Sequence, residues 1–224
     1  MHHNSFLHQK HTVLITGASR GLGFELVRVF LERGWTVFSL VRNDTNISSF
    51  VSRWPRRCLP VVADVTSDEI PKILTSALLQ KTEKLDILIN NAGILGWTRE
   101  IEHLTSAEMA MLFNVHCIGT MRCVQGALPF LRKGVRPKIV NISSRYGSLT
   151  RNARGEFKAP MQKVMYAYRI AKAAQNMLTL CLNQELSPKG IRVCSVHPGK
   201  LKTQSGPPDA DQDPYKVAKE LFHW

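Results

Sequence analysis

Carboxylates are scarce in this chain. Its 17 Asp and Glu stand against 30 Lys and Arg, a formal net charge of +13 over 224 residues. So large an excess raises nucleic-acid binding as a function class. Two further lacks argue against it. The basic residues form no single tract: Arg53, Arg56 and Arg57 cluster, while Arg145, Arg151, Arg154, Lys158 and Lys163 are spread along one segment. Aromatic residues do not interleave them as a base-stacking platform requires. A basic surface that attracts an anionic dinucleotide or an acidic partner is the simpler reading, with most of the charge a solvated face. No apolar run approaches the ~18 residues of a membrane span. The N-terminal MHHNSFLHQKH lacks the apolar core of a secretory signal and is poor in Arg for a transit peptide. Residues 1–10 read as a disordered start or a tag remnant, with metal binding by the histidines as the alternative. Cys58, Cys117, Cys123, Cys181 and Cys194 are odd in number and have no CxxC spacing. That speaks against a disulfide framework or a zinc site, and for reduced thiols in a cytoplasmic setting.

What is present is ordinary for one globular domain: 44% hydrophobic and 21% charged residues. No internal repeat, low-complexity segment or linker divides residues 1–224. Short β-branched runs predict strands over 11–16, 35–41, 59–63, 85–90, 138–142 and 191–196. Helical periodicity predicts helices over 21–33, 67–81, 106–131 and 163–186, and a short one at YKVAKELFHW, 215–224. Residues 203–214, rich in Pro, Gly and Asp, read as a loop. Strands alternating with helices imply parallel βαβ units and a Rossmann-like, doubly wound α/β sheet.

TGASRGLG, Thr16 to Gly23, falls between the first strand and the first helix. There glycines let backbone approach a pyrophosphate at the helix N-terminus. The end of the second strand, Ser39-Leu40-Val41-Arg42, carries no carboxylate to read a ribose diol. Arg42 there, and Arg20 inside the glycine loop, could form charge-assisted pairs with a 2′-phosphate; the alternative is that both face solvent. Further on, Tyr168 and Lys172 sit at i and i+4, on one helix face. A phenol titrates near about 10. A neighbouring ammonium favours the phenolate and burial opposes it, so the pair is a tunable acid/base whose phenol is expected near neutrality. Tyr-x-x-x-Lys also recurs on exposed helices, so its weight comes from what precedes it.

That order is TGASRGLG, Asp64-Val65, Asn90 to Gly93, Asn114, Ile142-Ser143-Ser144, Tyr168-x-x-x-Lys172 and His197-Pro198-Gly199. The set, over about 12–203, resembles the classical short-chain dehydrogenase/reductase family. YRIAKAAQNMLT and HPGKLKT are most similar to its C-factor or sniffer-like carbonyl reductase branch. The resemblance implies NADP(H) held by Gly17, Ser19, Arg20, Gly21, Leu22, Gly23, Arg42, Asp64, Val65, Asn91, Ala92, Gly93, Tyr168, Lys172, Pro198, Gly199, Leu201 and Thr203. Among these Asp64 would meet the adenine edge, Asn91 to Gly93 the ribose, and Pro198, Gly199 and Thr203 the carboxamide. Asn90 reads as a structural bridge between strands. The implied catalytic tetrad is Asn114, Ser144, Tyr168 and Lys172. Ser144 would polarise a carbonyl oxygen, with Ser143 its rival, and Tyr168 would protonate it. Lys172 would lower the Tyr168 pKa, and Asn114 would hold a water leading from Lys172 to solvent. Tyr166 reads as packing or substrate contact. The implied activity is reduction of an aldehyde, ketone or quinone. A regulatory cofactor-binding protein with little turnover is the alternative.

Two departures from the family pattern stand out. The interval from Ser144 to Tyr168 is longer than usual and carries a basic segment, SLTRNARGEFKAP, over 148–160. The stretch 203–224 is shorter than the family's tail, so a sheet of six strands without the usual seventh is expected. Both predict a monomer or weak homodimer of reduced stability, its sixth strand open at the edge.

Overall fold

The computed structural model describes residues 11–43, 45–157 and 164–223. The expectations for residues 1–10, Lys158, Lys163 and Trp224 lie outside them. Six strands form one parallel sheet in the order β3-β2-β1-β4-β5-β6. They are β1 Thr12–Thr16, β2 Thr36–Val41, β3 Cys58–Val62, β4 Ile87–Asn90, β5 Lys138–Ile142 and β6 Arg192–Val196. Every residue of β1 and β2 is buried, which fits central strands covered on both faces. The period of two sorts β1: Val13 and Ile15 join one apolar core, Leu14 the other.

The core around Leu14 is closed by α3 Ile70–Leu79, α5 Gly119–Leu131 and the end of α7 Tyr166–Leu186. The core around Val13 and Ile15 is closed by α1 Gly21–Glu32, α2 Ser48–Arg53 and α8 Pro214–Phe222. Strand order reverses between β1 and β4, so a crevice opens at the carboxyl ends of these strands.

Several elements differ from their sequence expectation. The helix predicted over 106–131 is α4 Ser106–Phe113, a π-helical turn Asn114–Ile118, then α5. Such turns insert one extra residue and concentrate at functional sites. Periodicity alone does not reveal it. α3 begins three residues late, at Ile70, with Pro71 in its first turn. The basic segment, for which no helix was expected, contains a short one, α6 Leu149–Ala153, capped by Ser148, and buries Phe157. β6 is an edge strand of the sheet among the described residues, as expected, with β3 at the other edge.

The segment after β6 folds back rather than trailing away. Leu201 bridges Gln212, and Asp213 caps α8 by accepting the Tyr215 amide at 2.8 Å. α8 then buries Val217 and Ala218 against α1. Phe222 meets Phe30 edge-on at 5.0 Å and Trp35 at 5.9 Å. The tail thus supplies a helix that closes one core.

Candidate active site

The crevice is a cleft of about 810 Å³ running from Arg42 to Met165 and Tyr168. Its floor begins in the turn after β1. Gly17 takes a φ of +64°, and a Cβ there would lie 2.8 Å from the Ala92 Cα. A Cβ on Gly23 would lie 2.2 Å from the Gly17 carbonyl. Only glycine allows these approaches. Asn91 locks the turn: its side-chain amide donates to the Thr16 and Gly17 carbonyls at 3.0 and 3.1 Å. Its side chain is therefore committed to the loop, although the residue lines the cleft with Ala92 and Gly93. Asn90 donates to Asn141 at 2.8 Å and bridges β4 to β5.

This end has the donor set that a phosphorylated dinucleotide requires. The N-terminus of α1 carries no side-chain cap and no acid in its first turn. Ser19, Arg20, Gly21, Leu22 and Arg42 line the cleft around it. Arg20 donates to Gln204 at 3.2 Å. Asp64, exposed and beside Val65, turns one oxygen to the Thr66 amide and hydroxyl at 2.9 and 2.8 Å. Pro198, Gly199, Leu201 and Thr203 form the facing wall.

At the other end stand Ser144, Tyr168 and Lys172. Ser144 follows β5 and Tyr168 lies in the first turn of α7, so the sheet and α7 fix their distance. Ser143 is spent elsewhere, its hydroxyl on Asn176 at 2.6 Å. Lys172 is buried and donates to the Ile142 carbonyl at 2.7 Å and to Gln175 at 2.9 Å. Gln175 in turn donates to Thr120 at 3.2 Å. Burial brings the Lys172 pKa down to about 7.

The expected lowering of the Tyr168 pKa is not what the site does. Burial pushes this phenol up, and the hydrogen bond with Ser144 offsets only part of that. The Lys172 ammonium sits 5.9 Å from the centre of the Tyr168 ring, its hydrogens aimed at Ile142 and Gln175. Burial thus sets the direction of the shift.

Asn114, expected to hold a water, sits in the π-helical turn and does not line the cleft. Its side-chain oxygen accepts from Arg122 at 2.6 Å. His116, two residues on, reaches the cleft instead. Its Nε2 lies 2.8 Å from the Ile94 carbonyl, and its ring meets Tyr168 edge-on at 5.5 Å. Burial, then the Lys172 charge, lowers its pKa to about 3, so the imidazole is neutral. Tyr166 does not line the cleft. Sequence reasoning missed His116, Gln175, Arg99 and Arg145. Only Gln175 carried a signal, its i+3 spacing from Lys172.

Among the described residues no cluster of His, Cys, Asp and Glu suits a metal, and no helix is long and apolar enough to cross a membrane.

Comparison with known proteins bears on this arrangement. The chain is 36% identical to the C-signal of Myxococcus xanthus over 129 residues, 58% of this chain and 73% of that one. It superimposes on the NADPH-bound carbonyl reductase from chicken fatty liver with a TM-score of 0.85 and 27% identity, covering 96% of this chain and 90% of the other. The carbonyl reductase Sniffer of D. melanogaster gives a TM-score of 0.83 and 26% identity, covering 96% and 90%. The short chain dehydrogenase family matches residues 11–213, nearly the whole described fold. With its six-stranded parallel sheet, glycine turn and Ser-Tyr-Lys cluster, the chain belongs to the short-chain dehydrogenase family, on its carbonyl reductase-like side.

Proposed function

We propose that this protein reduces a small aldehyde, ketone or quinone to an alcohol with NADPH, with Tyr168 as proton donor. One observation carries the reading: a single cleft joins an arginine-flanked glycine turn to the Ser144, Tyr168 and Lys172 side chains. NADPH, when bound, supplies hydride to the carbonyl carbon. Ser144 holds the carbonyl oxygen by hydrogen bonding. Tyr168 keeps its proton across the neutral range because burial raises its pKa, and gives that proton to the same oxygen. Lys172 fixes the floor beneath Tyr168 and holds a charge that falls away as pH rises through about 7. A neutral His116 packs against the Tyr168 ring and limits its orientation. In this reading Asn114 acts from behind the cleft, by anchoring the π-helical turn that carries His116.

NADPH is favoured over NADH because Arg42 stands where an acid is expected at the end of β2, with Arg20 in the glycine turn lining the same cleft. Replacing both by Gln is expected to weaken NADPH far more than NADH. Each lost charge-assisted bond costs roughly 1.5–3 kcal/mol, about one to two decades of affinity. Fluorescence titration with both cofactors reads this directly. Equal weakening of both would mean that neither arginine reads a 2′-phosphate. Five free cysteines support a reducing, cytoplasmic setting.

A further inference from the structure

The basic segment after Ser144 builds an arginine cage beside the proton donor. The Tyr146 and Phe157 rings meet edge-on at 4.9 Å. Arg145 lies 5.5 Å from the first ring centre and 5.3 Å from the second. Arg169 stands 5.1 Å from Tyr146, and Arg151 stands 5.6 Å from Phe157. Against these three cations the cage holds one acid, Glu156, which pairs with Arg151. Arg169 donates to Asn152 at 2.9 Å, and its buried Nε has no partner. Among the described residues, no side-chain hydrogen bond or ion pair uses the N–H groups of Arg145.

Arg145 lines the cleft directly after Ser144 in the chain. Arg99 lines it too, on the loop after β4. That loop is held by Glu108, whose carboxylate accepts the Trp97 and Thr98 amides at 2.9 and 3.1 Å. Arg99 donates to the Gly96 carbonyl at 2.8 Å and its charge reaches Glu108, but it is in no ion pair among the described residues. The other charged pair of this rim is Lys200 with Asp209, whose carboxylate also feels the Arg145 charge, though less than that of Lys200. The positive field is felt locally: after burial, Arg145 and Arg151 push the His197 pKa further down.

We propose that the carbonyl substrate carries an anionic group, a carboxylate or a phosphate, bound by Arg145 with Arg99 assisting. This rests on the reductase reading. A guanidinium presents paired N–H donors that match either oxyanion, and cation–π contact with two rings fixes where they point. Phe157, buried by the cage, is then the anchor of a positioning module, which gives the long Ser144–Tyr168 interval a role. The chain adjacency of Ser144 and Arg145 places the anion a short span from the reacting carbonyl.

The test compares NADPH consumption with 4-formylbenzoate, 4-formylphenyl phosphate and methyl 4-formylbenzoate. At least one anion should exceed the neutral ester in kcat/KM by about tenfold or more. Arg145→Gln should erase that preference, and Arg145→Lys should restore part of it. A strut that merely holds the segment would lower the melting temperature without changing the ratio of anion to ester. The proposal is overturned if the ester is reduced as well as both anions, or if Arg145→Gln keeps the preference. Should none of the three be reduced, the reductase reading fails on its own. Calorimetry of 4-(hydroxymethyl)benzoate, 4-(hydroxymethyl)phenyl phosphate and the methyl ester of the benzoate, with NADP+ present, then decides the anion site. Anion binding that is lost in Arg145→Gln sustains it, and equal or absent binding of all three contradicts it.

Discussion

Lys172 is the residue where burial has its largest chemical consequence. Its ordinary pKa of 10.5 falls to about 7 in the folded protein. Between these values the unfolded chain binds a proton that the folded one does not. Stability conferred by this position therefore rises with pH from about 7 to about 10.5, and is lost as pH falls back through that window. Comparing urea midpoints of the wild type and Lys172→Met isolates the effect, because His116, which feels the Lys172 charge, titrates at about 3, well below this window. The difference is expected to move toward the wild type by roughly 3–5 kcal/mol at most across the window. A difference independent of pH would mean that Lys172 titrates normally. At this scale the sequence was informative about identity and not about environment. Tyr168 and Lys172 stood out through their helical spacing and the motifs before them. That burial would raise the phenol and depress the ammonium depends on α7 packing beneath β5, which no local pattern encodes. His116 was invisible for the same reason: an isolated histidine acquires meaning only when the π-helical turn aims it at Tyr168.

Elements were legible where their pattern is continuous. The six strands are short β-branched runs with most side chains buried, and each lies within two residues of its sequence expectation. Helix starts were uneven: α4 begins at Ser106 as expected, behind the Thr105 cap, whereas α3 begins three residues late, with Pro71 in its first turn. The segment after Ser144 hid its helix since Phe157, its apolar anchor, lies among polar residues. α8 was expected as a helix, but not that it completes the α1 side. Ala218 is fully buried there, with α1 packed against it. Ala218→Leu should overpack this contact and cost about 1–3 kcal/mol in chemical denaturation. A neutral result would mean that α8 contributes little to the fold.

Over the whole molecule the charge excess divides into parts with different work. Arg20 and Arg42 face one end of the cleft, and Arg99 and Arg145 the other, so a cleft of one predominant sign draws anions toward Tyr168. Assembly was expected to be weak. α4, α5 and α7 expose Met111, Phe113, Met121, Ile170, Met177 and Leu180, apolar side chains on which a weak pairing could rest. Light scattering over a dilution series is expected to read a monomer or a reversible dimer, and a tight tetramer would contradict this. The proposed reaction is hydride transfer to a carbonyl with the proton supplied by Tyr168. Its most direct measurement follows deuterium from NADPH deuterated at the transferring position into the product alcohol, for wild type and Tyr168→Phe. The account predicts deuterium at the carbinol carbon with the wild type and near-complete loss with Tyr168→Phe, which still binds NADPH. Equal transfer by the variant, or none by the wild type with any carbonyl offered, would contradict it.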